Sequence, residues 1–224
     1  MPAQGSGLFS TKGPLKPHLM QQSGGIAAEV NDVRKDVKDT LAPLAAIAID
    51  EFTNPAAAGA ADLEAATATT VAPRTVTTFL AGGVAKLAAF PRNVTFTTGG
   101  GTPADAPATA LVTGTYRGKP QTETVTLAQT ATIANGVKPF STITSVAYAA
   151  ADGTGATISI GVGLGLGTAQ IPLSRAGLVA PVREIAAGAA VTNGVLTVEG
   201  LYTPNTAPNG TNDYAIFYEY NPTV

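Results

Sequence analysis

The chain has 224 residues, 13 Lys and Arg against 15 Asp and Glu, and a formal net charge of -2. It therefore lacks both the basic face of a dedicated nucleic-acid binder and the acidic excess of a solvating tail. With no Cys, one His and no Trp, disulfides, thiolate chemistry, Cys-based zinc sites and a multi-His metal centre within one chain are all excluded.

The 25 Gly and 16 Pro stand among abundant Ala, Thr and Val, a vocabulary of short strands and tight turns. The length suffices for one large β domain or two small ones.

Residues 1–25 are rich in Gly and Pro, and their apolar side chains stand apart, at Leu8, Phe9, Leu15 and Leu19. Such a stretch builds neither a helix nor a core, and is predicted to be an extended or disordered arm. From Ile26 the pattern changes. Ile26, Val30, Val33, Val37, Leu41 and Leu44 follow at spacings of 4, 3, 4, 4 and 3, separated mainly by charged residues. That is a single narrow apolar stripe, close to a coiled-coil seam, so an oligomerising or docking helix is predicted over 26–54, kinked or ended at Pro43. It is too short to persist alone and has to dock. The Ala-rich stretch 55–68 reads as a linker or a short helix.

From about residue 69 the sequence alternates with period two. Strands are predicted at 74–80, 84–90, 93–98, 109–116, 122–128, 140–149 and 156–162. Further strands are predicted at 178–185, 191–199 and 214–220. Thr98-Gly-Gly-Gly, Arg117-Gly-Lys-Pro, Asn135-Gly136 and Asp152-Gly153 supply the turns. Gly at every second position of 161–167 leaves one strand face bare and predicts close approach of another backbone. Tyr214, Ile216, Tyr218 and Tyr220 share one side of the last strand, which is predicted to pack on the core. The fold expected is mainly β: an Ig-like β-sandwich body over 69–224, as one domain or as two packed halves (69–163 and 164–224), preceded by the arm and one amphipathic helix.

No leader with a basic region and an apolar run is visible, and the apolar stretch 41–49, interrupted by Pro43, is far below the ~20 residues that span a bilayer. A soluble protein made in a cytoplasm is expected, with no membrane or nucleic-acid partner. Motifs for chemistry are weak. Gly114-Thr-Tyr-Arg-Gly118-Lys119 is one residue short of a phosphate loop, and Pro120 stands where Ser or Thr would ligate magnesium, so a hairpin turn is the better reading. Leu166 occupies the third Gly position of a dinucleotide fingerprint. His18 has no neighbouring carboxylate or Ser in sequence, Asp50 and Glu51 diverge on a helix, and no acid pair stands out. No catalytic, cofactor or metal residue is assigned, and the protein is expected not to be an enzyme; Ca²⁺ bound by carboxylates that converge in space stays open.

Four segments carry a resemblance: Pro91-Arg-Asn-Val-Thr-Phe-Thr; Ala110-Leu-Val-Thr-Gly-Thr-Tyr-Arg-Gly-Lys-Pro; Lys138-Pro-Phe-Ser-Thr-Ile-Thr; and Gly155-Ala-Thr-Ile-Ser-Ile-Gly-Val-Gly. Their order resembles a recurring β module of tailed-bacteriophage virion proteins of the capsid cement, decoration and head-fibre kind. The ending Leu201-Tyr-Thr-Pro-Asn-Thr through Tyr220 is similar to endings in that family. The resemblance covers roughly 90–163 and 200–220. It implies a non-enzymatic virion role in which the major capsid protein and copies of the chain itself, most simply a trimer, are the partners. Arm residues Leu8, Phe9, Leu15 and Leu19 would touch the shell, and the stripe Ile26, Val30, Val33, Val37, Leu41 and Leu44 would form the oligomer or docking interface. A neck or tail component is the alternative. A carbohydrate-binding adhesive domain is disfavoured by the poor supply of exposed aromatics, and a hydrolase by the missing His and Cys.

Overall fold

A computed structural model describes residues 46–175, 178–179, 183–186, 189–190, 192 and 194–220. The described chain is mainly β. Its elements are β1 (Ala46–Phe52), β2 (Gly59–Ala68), β3 (Arg74–Val76), α1 (Ala81–Ala89), β4 (Arg92–Gly100), β5 (Thr109–Tyr116), β6 (Lys119–Thr126), β7 (Ile133–Asn135) and β8 (Thr142–Tyr148). They continue with β9 (Ala156–Gly167), β10 (Ser174–Arg175), β11 (Leu178–Val179), β12 (Arg183–Ala186), β13 (Ala189–Ala190), β14 (Val195–Leu196), β15 (Leu201–Thr203) and β16 (Tyr214–Tyr220). A short 3-10 turn, Pro103–Asp105, follows β4. No described helix is long and apolar enough to cross a membrane.

The described strands form three larger sheets and a two-stranded ribbon, β10-β11, and β9 lies at the centre of the largest. The central sheet runs β14-β15-β9-β4-β7, and β2 pairs with β9 on the edge opposite β4. A second sheet runs β3-β8-β5-β6, and a third runs β1-β16-β12-β13. The second contains the hairpin expected at Arg117-Gly118. Tyr116 faces Lys119 across the turn, and Arg117 and Gly118 both take positive φ, 52° and 71°, as the right-handed twist of a two-residue hairpin demands.

Two buried clusters follow from this arrangement. The first draws on the central sheet (Leu63, Val94, Phe96, Ile158, Ile160, Val162), on the second sheet (Val76, Ala110, Val112, Val125, Val146, Tyr148) and on Leu87 of α1. The second gathers Ala48 and Phe52 of β1, Tyr214, Ile216 and Tyr218 of β16, Leu166, Leu196 and Tyr202. Strand β9 contributes to both, so the division considered at 163/164 falls inside one strand.

Several expectations are corrected. Residues 46–52 do not continue a helix. Beyond Pro43 the period changes to two, with Ile47, Ile49 and Glu51 facing out and Ala48, Asp50 and Phe52 facing in, and the strand pairs antiparallel with β16 from Ala46–Tyr220 to Phe52–Tyr214. The segment 55–68 is not a linker. It holds β2, whose Ala-rich composition hides a strand because Ala has little β preference; its register on β9 shifts twice. The strand expected at 84–90 is helix α1. Gly83 and Leu87, four apart, form its buried face, and Pro91 follows its end. A Cβ at Gly83 would strike the Asp62 carbonyl and the Leu63 side chain, so glycine lets the helix lie against β2. Of 74–80 only Arg74–Val76 is strand. Among the described residues, the stretch expected at 178–185 holds β11 and the start of β12, and that expected at 191–199 holds Val195–Leu196. The packing expected of the last strand is seen: Tyr214, Ile216 and Tyr218 are buried, and Tyr220 lies against the same cluster.

The bare face of 161–167 is filled from four sides. The Gly59 carbonyl approaches Gly161, the Asn93 side chain covers Gly163, Leu201 covers Gly165, and Pro91, Pro139 and Tyr116 meet over Gly167. Backbone approach is thus seen at Gly161, and side chains fill the other positions. Substituting Gly161→Ala is expected to lower stability by about 1–3 kcal/mol through overpacking. Gly82→Ala, on the open side of α1 with no neighbour near its Cβ, is expected to raise it by up to about 1 kcal/mol. Urea unfolding midpoints at constant slope check both.

Candidate interaction surfaces

Exposed sheet edges invite pairing with other chains, and proteins commonly protect them with short strands, bulges, Lys or Pro. Most described edges follow this rule. Strands β3 and β7 have 3 residues each and β13 and β14 have 2 each. Strand β6 begins with Lys119 and Pro120. Strand β2 is irregular, and α1 packs against it, with Lys86 donating to Asp62 Oδ2 at 2.7 Å. Strand β1 differs. It has 7 residues, AIAIDEF, no Lys, no Pro and an unbroken register with β16. Its outward Ile47 and Ile49 are 70% and 56% exposed. Across the outer face of the third sheet they stand opposite Glu219 and Phe217.

A cleft of about 320 Å³ lies beside the second half of β1, from Ile49 to Phe52, and its other walls include Tyr116, Arg117, Ser141 and Thr168. Polar contacts hold those walls in place. The buried Tyr218 hydroxyl donates to Asp50 Oδ2 at 2.8 Å and accepts from the Gln170 N–H at 3.0 Å, while the Ala169 N–H donates to Asp50 Oδ2 at 2.8 Å. From the hairpin tip, Arg117 donates to the Thr168 carbonyl at 2.9 and 2.8 Å and to Thr168 Oγ1 at 2.8 Å, and also bonds the Gln170 carbonyl. Its guanidinium lies 4.5 Å from the Tyr116 ring centroid, and the Tyr116 hydroxyl donates to the Thr168 carbonyl. These bonds offset the roughly 1 kcal/mol or more that a non-glycine residue at positive φ costs.

A second depression, about 330 Å³, is lined by Ala58–Ala60, Thr95, Ile133, Asn135 and Val162–Leu164. Ile133 and Leu164 are exposed at its rim. Elsewhere, Leu80 and Val84 of the α1 region, Leu111 of β5 and Val195 of β14 also face solvent, so apolar side chains are displayed in several separate places.

Buried charges serve the backbone. Arg92, 1% exposed, donates to the Gly163 carbonyl from Nε and Nη2 and to the Ala56 carbonyl from Nη1. Burial lowers its guanidinium to about 10, with Asp62 opposing that shift. The Glu123 carboxylate accepts from the N–H groups of Val137 and Lys138 at 2.6 and 3.2 Å. Burial pushes it above the ordinary carboxylate range, against those two bonds. Among the described residues no group of three or more His, Asp and Glu could hold a metal ion.

The sequence-predicted contact residues Leu8, Phe9, Leu15, Leu19, Ile26, Val30, Val33, Val37, Leu41 and Leu44, like His18, lie outside the described residues. The helical spacing that runs up to Leu44 hides the β1 edge in the sequence; the signal for it is Ile47 and Ile49 at period two. Comparison with protein-family models, curated proteins and solved structures found no match.

Burial raises the Tyr218 hydroxyl above the usual tyrosine range, and the Asp50 carboxylate adds to the shift. A raised folded-state value favours the neutral ring in the native protein. The associated stability is complete below about pH 10, the ordinary tyrosine value, and is lost as pH climbs through the folded value. Tyr218→Phe is therefore expected to cost about 1–3 kcal/mol at neutral pH, because it removes a donor to Asp50 and an acceptor for Gln170. The variant should also decline less steeply than the parent above about pH 10. Denaturant melts of both proteins across that range check the two effects.

Proposed function

We propose that this chain is a structural, non-enzymatic virion protein that binds and reinforces a phage capsid lattice as a cement or decoration protein. The observation that carries the reading is the display of apolar side chains on several separate surfaces of a β body, at β1, at the Ile133–Leu164 rim and on α1. A protein that touches several neighbours needs several modest contacts, and linking them raises the overall affinity steeply. The motif order over 90–163 and the ending over 200–220 resemble the same class of virion protein. The two larger sheets are read as facing one another in an Ig-like sandwich, because one apolar cluster draws on both. The Gly- and Pro-rich 1–25 is read as an extended arm on the shell, and the stripe in 26–44 as the contact among copies, most simply a trimer. The partners are then the major capsid protein and the chain itself, with no nucleic acid, membrane or cofactor, and the location is the virion.

The test uses phage heads assembled without this protein. Added full-length protein should bind at a fixed ratio to the major capsid subunits over the whole shell and raise the temperature at which heads rupture. Val33→Asp with Val37→Asp should weaken binding about tenfold or more, since both break the apolar stripe. Absence of binding defeats the proposal. Binding confined to one vertex, as a six- or twelve-fold ring, replaces it with a neck or tail role.

A further inference from the structure

We infer that the edge of β1 is a self-association site at which β1 of a second copy pairs antiparallel about a twofold axis, with Ala48 facing its own counterpart. Strand β1 is the longest regular edge among the described residues without a Lys, a Pro or a bulge; its two charges, Asp50 turned inward and Glu51 turned outward, lie in its second half, and its outward Ile side chains are exposed. An edge left flat and apolar recruits another strand, because its free N–H and C=O groups already stand in ladder geometry.

Charge and side-chain matching select the partner and the register. In a twofold antiparallel pair, residues on the same face must lie opposite one another, so one residue sits on the axis. With Asp50 on the axis, two carboxylates would face each other directly, which is unfavourable. With Ile49 on the axis, each Ile47 would meet the other copy's Glu51. With Ile47 on the axis, only 46–48 would pair. With Ala48 on the axis, Ile47 meets Ile49 in both halves, Asp50 meets Ala46, and 46–50 pair. The strand is thus complementary to itself in one register. That register gathers four isoleucines into one patch on the outer face, beside the half-buried Phe217 of each copy. Asp50 already bonds Tyr218 and Ala169 on the inner side, so the pairing does not disturb it. This contact is twofold and uses the β body alone, so it is separate from any contact made by the stripe in 26–44.

The chain contains no cysteine, which makes the register directly testable on the full-length protein. Ile47→Cys and Ile49→Cys are prepared separately, mixed when dilute, concentrated and oxidised. Opposite residues of an antiparallel pair lie at Cα separations a disulfide spans. The mixture should give several-fold more disulfide-linked dimer than either variant alone. In a second measurement, Ile49→Lys should weaken self-association about tenfold or more by sedimentation, with an unchanged thermal melt because the side chain is exposed. Equal cross-linking in the mixture and in the single variants overturns the inference. So does a parent protein that stays monomeric when concentrated, or self-association unaltered by Ile49→Lys together with no excess of mixed disulfide. None of these readouts involves a capsid, so failure here leaves head binding standing, and failure of head binding leaves this pairing standing.

Discussion

The described structure depends on one strand that can be approached from every side. Strand β9 pairs along one edge with β4, and along the other first with β2 and then with β15. Its alternate glycines remove a row of side chains from one face. That omission makes room for the Gly59 carbonyl, the Asn93 amide, Leu201 and the Pro91–Pro139–Tyr116 contact. The opposite row, Ile158, Ile160, Val162 and Leu166, supplies buried apolar surface to both clusters. A strand with side chains on both faces would keep its neighbours a full layer away.

Around this axis the few charged residues act as clamps on carbonyls and amides. Arg92 binds Gly163 near the register shift between β4 and β9. Arg117 ties the tip of the β5–β6 hairpin to the end of β9. Glu123 holds the turn at Val137 and Lys138, and Asp50 holds the chain as it leaves β9 at Ala169. A buried charge is costly without partners, and each of these has several. Irregular connections in a Thr- and Ala-rich protein carry many backbone groups that no ladder satisfies, and these side chains meet part of that demand.

The parts of the fold visible in the sequence are those where composition and periodicity agree. Thr and Val alternate through β5, β6 and β8, and Arg117-Gly118 marks the hairpin, so these elements lie close to where the pattern puts them; Asn135, expected in a turn, instead ends the short strand β7 and pairs with Thr95. The tyrosines of β16 mark a buried face for the same reason. Where propensity and packing disagree, the pattern fails. Ala-rich β2 exists because β9 offers it small residues and an edge, a tertiary effect without a local signal. Helix α1 is masked by Gly82 and Gly83, which weaken a helix locally while Gly83 allows its contact with β2. For the interaction surfaces, the alternation of Ile47 and Ile49 was present but followed a long helical period, and the expected helix was carried across Pro43. That these residues lie on a sheet edge depends on sheet order, which short-range pattern does not encode.

The pairing of β1 with β16 has a kinetic consequence. It joins residues far apart in the chain, as in the Tyr218–Asp50 contact across 168 positions. On the ribosome, β1 emerges long before its partner, and the third sheet cannot close until the tyrosine-rich strand has been released. During that interval the AIAIDEF segment presents two unpaired edges. A contact between strands so far apart in the chain forms late, so until β16 is available the apolar AIAIDEF segment lacks the partner it has in the native sheet.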